Sequence, residues 1–197
     1  MGVFTSSTLR HDRSGVTAIE FALTAPVFLL LLLASFDFGH EIYARSVLQG
    51  VVQDAGRDAG LESGSSNLSV IDNMVLSQVQ NVVPEGAILT SRRNYQGFND
   101  VGKPEDFVDA DGDGEYDADE CFTDLNENDQ WDPDRGADGL GGADDVVLYT
   151  ALLTYDRPTP LWRFIGTDSK AQISASTTLR NQPFGDQAAR TEVQICP

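Results

Sequence analysis

Histidine is nearly absent. The chain has two, His11 and His40, and neither stands at a recognisable motif spacing from a serine, cysteine or carboxylate partner. A histidine-based nucleophilic or general-base centre therefore has little to be built from. Cysteine is as scarce: Cys121 and Cys196 are too few for a disulfide scaffold and lack the spacing of a zinc or redox motif. Basic side chains number 13 against 31 acidic ones, a formal net charge of -18, and such a surface repels a phosphate backbone. No nucleic acid is expected as a partner. The glycines of GLGGADD, Gly139 to Asp145, follow no expected strand and open no expected helix, so they do not make a nucleotide-binding loop. These absences point away from an enzyme.

What is present is unevenly distributed. Hydrophobic residues make up 41% of 197 residues, enough for a core, and the length suits one domain with appendages. Between Glu105 and Asp145 there are 17 acidic residues and a single base, Arg135, so this stretch carries 16 of the 18 net negative charges. At the other extreme, Phe21 to Phe36 reads FALTAPVFLLLLLASF without a charge. Extended to Val16–Phe38 the apolar run is 23 residues long, roughly 34 Å of helix, enough to span a bilayer with a little tilt. Pro26 is tolerated in such a helix because neighbours satisfy the freed carbonyl. Arg10 and Arg13 precede the run while Asp37 and Glu41 follow it, which places the amino terminus in the cytoplasm. A cleaved secretory signal ending near Ala34 is the other reading, with Leu32 a poor fit where a small residue is wanted.

A carboxylate within an apolar span is costly by roughly 2 to 3 kcal/mol near its centre and less near its end, so Glu20 marks a functional position. The junction RSGVTAIEF, Arg13 to Phe21, resembles the type IV prepilin signature, in which a prepilin peptidase cuts after a glycine on the cytoplasmic face. Carried over, the resemblance implies that Gly15 ends the leader, Val16 becomes the new amino terminus, and Glu20 is the fifth mature residue with the aromatic Phe21 beside it. The freed ammonium of Val16 would then offset the burial of a neighbouring Glu20. The longer stretch GVTAIEFALTAPVFLLLLLASFDFG is similar to the TadE-like proteins of tight-adherence (Tad, or Flp) pilus machinery.

Beyond the bilayer Leu48, Val51, Val52, Ala55 and Ala59 keep a spacing of three and four, so one helix is expected from about Val16 to Gly60. ESGSSN, Glu62 to Asn67, reads as a loop. Ser69 and Asp72 form a capping-box start for a second helix carrying Ile71, Met74, Val75, Val79 and Val82 and stopped by Pro84. The period then switches to two. Ala171, Ile173, Ala175, Thr177 and Leu179 alternate with polar residues, Val146 to Tyr155 reads as a central strand, Ala87 to Arg92 as an opening strand and Thr191 to Cys196 as a closing edge. Helices first and strands later give an α+β fold, with an antiparallel sheet laid on the long helix. This is the general layout of pilins. The expected divisions are a leader at 1–15, a transmembrane helix at 16–38, a spine and first strand at 39–100, an acidic insert at 101–145 and a sheet region at 146–197.

Within the insert DADGDGEYDADE, Asp109 to Glu120, satisfies the calcium-loop pattern D-x-[DN]-x-[DN]-G-x5-E. By that spacing Asp109, Asp111 and Asp113 supply oxygens, Gly114 makes the turn, Glu115 offers its backbone carbonyl, Asp117 coordinates directly or through water, and Glu120 closes the shell. The pattern recurs 15 residues on as Asp124, Asn126, Asn128, Gln130, Asp132 and Asp134, with Asp129 in the glycine position and Arg135 where the closing glutamate belongs. Asp134 or a carboxylate of GADGLGGADD is left to complete that shell. Three residues separate the loops, so paired EF-hands with four helices do not fit. The arrangement resembles the bare loops of dockerin modules and thrombospondin type 3 repeats. One Ca2+ ion, and a second at the weaker loop, are the cofactors expected to order this segment, with Tyr116 and Trp131 packed between the loops. Two readings of Cys121 and Cys196 stand: a bridge tying the insert to the last strand, or two separate buried thiols.

The resemblance implies a non-catalytic minor pilin or pseudopilin in the bacterial inner membrane. It would be a single-pass protein with its carboxy-terminal domain periplasmic or extracellular. Its partners would be other pilin-like subunits, the pilus assembly platform, prepilin peptidase and the lipid bilayer. A pseudopilin of a type II secretion system is the sibling reading, and a calcium-dependent adhesin, secreted or membrane-anchored, is the rival of a different class.

Overall fold

A computed structural model describes residues 15–61, 68–183, 185–187 and 189–197. The leader before Gly15 and the loop Glu62–Asn67 lie outside the described residues. The first helix, α1, is Val16–Ala59 and runs without a break through Pro26. It passes through two compact units. Its residues up to Ile42 belong with Arg157–Ser169, while the second unit comprises Tyr43–Asp156 and Lys170–Pro197.

In the first unit the hydroxyls of Thr24 and Ser35 donate to the carbonyls of Glu20 (3.0 Å) and Leu31 (2.9 Å). These two hydroxyls of the apolar run are thus satisfied by their own helix.

In the second unit Ala44, Leu48, Val51, Val52, Ala55 and Ala59 bury the inner stripe of α1, in the spacing expected of one helix face. Helix α2, Leu68–Gln80, adds Ile71, Val75 and Val79 to the same core. Strands β1 (Ala87–Tyr95), β3 (Ala137–Asp138), β4 (Val146–Asp156) and β5 (Lys170–Arg180) form an antiparallel sheet in the order β3-β1-β4-β5. On β4 the side chains of Val147, Tyr149, Ala151, Leu153 and Tyr155 are all buried, and on β5 so are those of Ala171, Ile173 and Ala175. Each full-sized aliphatic side chain withdrawn from water here is worth roughly 1.5–3 kcal/mol. The helix comes close to the sheet at Gly56, where an added Cβ would stand 2.5 Å from Thr177 Cγ2. The fold is therefore α+β, a long helix packed on a small antiparallel sheet.

Two local expectations are corrected. The second helix begins at Leu68 and takes Ser69 into its first turn. Asp72 does not complete a capping box: it pairs with Arg92 of β1 and accepts a hydrogen bond from Tyr149 Oη at 3.0 Å. A charge-assisted contact across the core outcompetes the local cap. Burial, then Asp72, push Tyr149 up to about 12. The last strand, β6 (Val193–Ile195), is not an edge of the main sheet. It pairs with β2 (Phe122–Asp124) of the insert, next to the bond between Cys121 and Cys196, whose Cα atoms lie 4.2 Å apart.

Candidate functional site: an apolar anchor and an acidic loop pair

The first turn of α1 carries the residues singled out at the junction. The Gly15 carbonyl accepts the Ile19 N–H at 3.2 Å, so helical bonding starts across the Gly15–Val16 peptide. Glu20 is exposed one turn from Val16, and Phe21 beside it is 70% exposed. Ile19, Leu23, Val27, Phe28 and Leu31 are likewise open. Among the described residues, α1 is the one helix long and apolar enough to cross a membrane, and none of its most apolar window is buried by the protein. An apolar surface this continuous has the properties of a membrane anchor.

The acidic insert builds a different site, in which carboxylates hold the backbone. Asp109 accepts Gly112 N–H at 2.6 Å and Gly114 N–H at 3.0 Å. Fifteen residues on, Asp124 repeats this, accepting Glu127 N–H at 2.7 Å and Asp129 N–H at 2.8 Å. The turn positions match as well: φ is +82° at Gly112 and Gly114, and +63° and +61° at Glu127 and Asp129. Asp129 thus adopts the left-handed conformation that its glycine counterpart takes in the first loop. Asp113 and Asn128, another corresponding pair, accept Glu115 N–H and Gln130 N–H, each at 2.8 Å. The two loops are one local structure used twice.

Carboxylates converge in the first loop. Oxygens of Asp109, Asp111 and Glu120 lie within 4.8 Å of one another, as do those of Asp111, Asp113 and Asp117. Both three-carboxylate groups found among the described residues are here. Glu120 is buried and accepts Ala110 N–H at 2.6 Å and Asp117 N–H at 3.1 Å, closing the loop on its first turn. Although Asp117 is exposed, local desolvation, then the negative charges of Asp113, Asp111, Asp119 and Glu120, hold its carboxyl above the usual range. In the second loop Asp132 accepts the amides of Asn126 at 2.7 Å and Asn128 at 2.6 Å. Asp134 turns toward β1, accepting Tyr95 Oη at 3.0 Å and pairing with Arg93 at 3.4 Å.

Between the loops Tyr116 stacks on Trp131 at 4.6 Å, with Phe107 edge-on to both at 5.9 and 6.2 Å. Phe107 bridges Phe122, its counterpart in the second repeat. The residue that sequence reasoning missed is Glu105, counted there only as one acid among many. It is 1% exposed. Its carboxylate accepts Leu125 N–H at 2.8 Å and Asp132 N–H at 3.1 Å, and its carbonyl accepts Trp131 Nε1–H at 3.1 Å. Burial raises its pKa against the lowering effect of those two amides, with Asp124 and Asp132 adding to the rise. Glu105→Ala would strand two amides bound to a charged acceptor, and is expected to destabilise the chain by about 3 kcal/mol. Chemical denaturation of the two proteins measures this, and a difference under about 1 kcal/mol would remove Glu105 from this role.

The apolar helix, continued onto an antiparallel sheet, defines the class: an α+β protein with, among the described residues, one membrane-length helix. Residues 15–57, which make up most of α1, match the family described as TadE-like protein, so this segment is similar to that family. No curated protein and no solved structure matches the chain.

Proposed function

We propose that the protein is a non-catalytic minor pilin or pseudopilin-like subunit of a Tad/Flp-type pilus, anchored in the bacterial inner membrane by α1 and trimmed by prepilin peptidase after Gly15. The observation that carries this reading is the TadE-like match starting at Gly15, on a helix that begins at Val16 and leaves its apolar half uncovered. In this reading the Val16 ammonium pairs with a Glu20 carboxylate in the low-dielectric span, and neighbouring pilin-like subunits cover the apolar face. The amino terminus stays cytoplasmic and the sheet-bearing unit lies outside the cytoplasm.

Calcium orders the insert in the same proposal. Asp109, Asp111, Asp113, Asp117 and Glu120, with the Glu115 carbonyl, fit a hard cation that takes six to eight oxygens. The convergence of carboxylate oxygens and the left-handed turns support this. The second loop offers Asp124, Asn126, Asn128, Asp132 and the Gln130 carbonyl, with Asp134 drawn off toward β1, so it is the weaker of the two. The ion serves as structure and not as a sensor, since outside the cytoplasm an affinity of roughly 0.1 to 1 mM suffices.

Mass spectrometry of the membrane-extracted protein tests the anchor. A mature chain starting at Val16 is expected; one starting near Ser35 would replace this reading with a secreted, calcium-dependent binding module.

A further inference from the structure

The connection between β4 and β5 is a closed loop at one end of the molecule's first unit. The Arg157 N–H donates to the Ser169 carbonyl at 2.9 Å and shuts its neck. The loop is pinned to α1 at the end of the apolar run: Arg157 donates to Asp37 at 2.8 Å and to Glu41 at 3.3 Å, and Thr159 Oγ1 donates to Asp37 at 3.2 Å. Asp37 is buried, and Leu33 and Ala34 one turn earlier are half-buried while Leu31, Leu32 and Phe36 stay open. Cover on this face of α1 therefore reaches below Asp37 into the membrane-length segment.

Past this clasp the loop carries side chains that water disfavours. Leu161 is buried, but Phe164 and Ile165 on the short helix α3 (Trp162–Ile165) are 68% and 60% exposed. Arg163 lies over the Trp162 ring at 4.9 Å. An indole, a guanidinium and two apolar side chains on one short turn have the chemistry of the headgroup and acyl boundary of a bilayer, where rings and stems sit in hydrocarbon and charges in phosphate.

We propose that the Trp162–Ile165 turn is a second, interfacial membrane contact, seated in the outer leaflet of the bilayer that α1 crosses, with Arg163 on the phospholipid phosphates. The lipid surface is the occupant because the clasp fixes the turn beside α1 where its apolar run meets charge. Phe36 and Phe38 of that run are themselves 59% and 70% exposed, so the turn widens an apolar collar that α1 already presents. The inference rests on α1 being a membrane anchor.

The test uses the full chain in vesicles of phosphatidylethanolamine and phosphatidylglycerol, with and without phospholipid brominated high on the acyl chain. The chain has two tryptophans, so Trp162→Phe isolates the emission of Trp131. Bromolipid is expected to quench the wild type and to lose that quenching component in Trp162→Phe. Phe164→Asp with Ile165→Asp is expected to abolish bromolipid quenching and open Trp162 to aqueous acrylamide, with carbonate-resistant membrane retention unchanged. Equal bromolipid quenching of wild type and Trp162→Phe in retained protein overturns the inference alone. Shielding of Trp162 that appears only as protein is crowded in the vesicles assigns the turn to another subunit and overturns it too. Release of the wild type by carbonate overturns the anchor, and the inference with it.

Discussion

Replacing Cys121 and Cys196 together with serine is expected to destabilise the protein by about 4 kcal/mol, on the chain-entropy account of a loop this long. The bond joins positions 75 residues apart, so it removes much of the freedom that the unfolded chain would otherwise gain. In a domain of this size the loss corresponds to a fall in melting temperature of roughly 8–16 °C. The effect is large because few other contacts bind the last strand: β6 is three residues long, meets only β2 among the described strands, and leaves Val193 44% exposed. Thermal melts with and without a reductant measure it in one protein. A shift of only a degree or two would mean that β2 and β6 stay paired without the bond and that the insert is held from elsewhere.

Chelation gives the second expected result. If the first loop holds calcium with a dissociation constant of about 0.1 mM, calcium at about 10 mM is 100 times that constant and the bound ion stabilises the folded state by about 2.7 kcal/mol. Adding a chelator to the detergent-solubilised chain is then expected to lower the melting temperature by roughly 5–10 °C. Asp109→Ala combined with Glu120→Ala is expected to abolish the response. Both side chains also hold backbone amides, so this variant starts from a lower melting temperature, and the diagnostic quantity is the calcium-dependent difference. A wild type whose melt ignores the chelator would leave the carboxylates as a self-repelling cluster held by protein contacts, among them Glu105, the aromatic stack and the disulfide.

Features governed by local periodicity were legible in the chain. The helix from Val16, the alternation along β5 and the central position of β4 follow from spacing alone, because burial on one face imposes the period directly. The tandem loops were legible as well, since an offset of 15 residues aligns aspartates and aromatics together, and Tyr116 does stack on Trp131. Long-range pairings were not. Asp72 has the spacing of a helix cap, and only the fold brings Arg92 and Tyr149 to it. Glu105 has no local signature among so many acids, and its importance comes from amides 20 and 27 residues away. Asp37 read simply as the charge that ends an apolar run, and nothing nearby in sequence announces Arg157 as its partner. The destination of β6 was half legible: a Cys121–Cys196 bridge to the insert was one of two readings, but three residues of modest strand character do not specify which edge they join.

Tyr95 and Val146 face each other at the last rung of the β1–β4 ladder. The chain thus departs the sheet and re-enters it at adjacent positions, and the excursion between them returns once, as β3, to lie along the outer side of β1. A tight turn joining Tyr95 to Val146 would therefore take β3 from the sheet and leave β6 and Cys196 without β2 and Cys121.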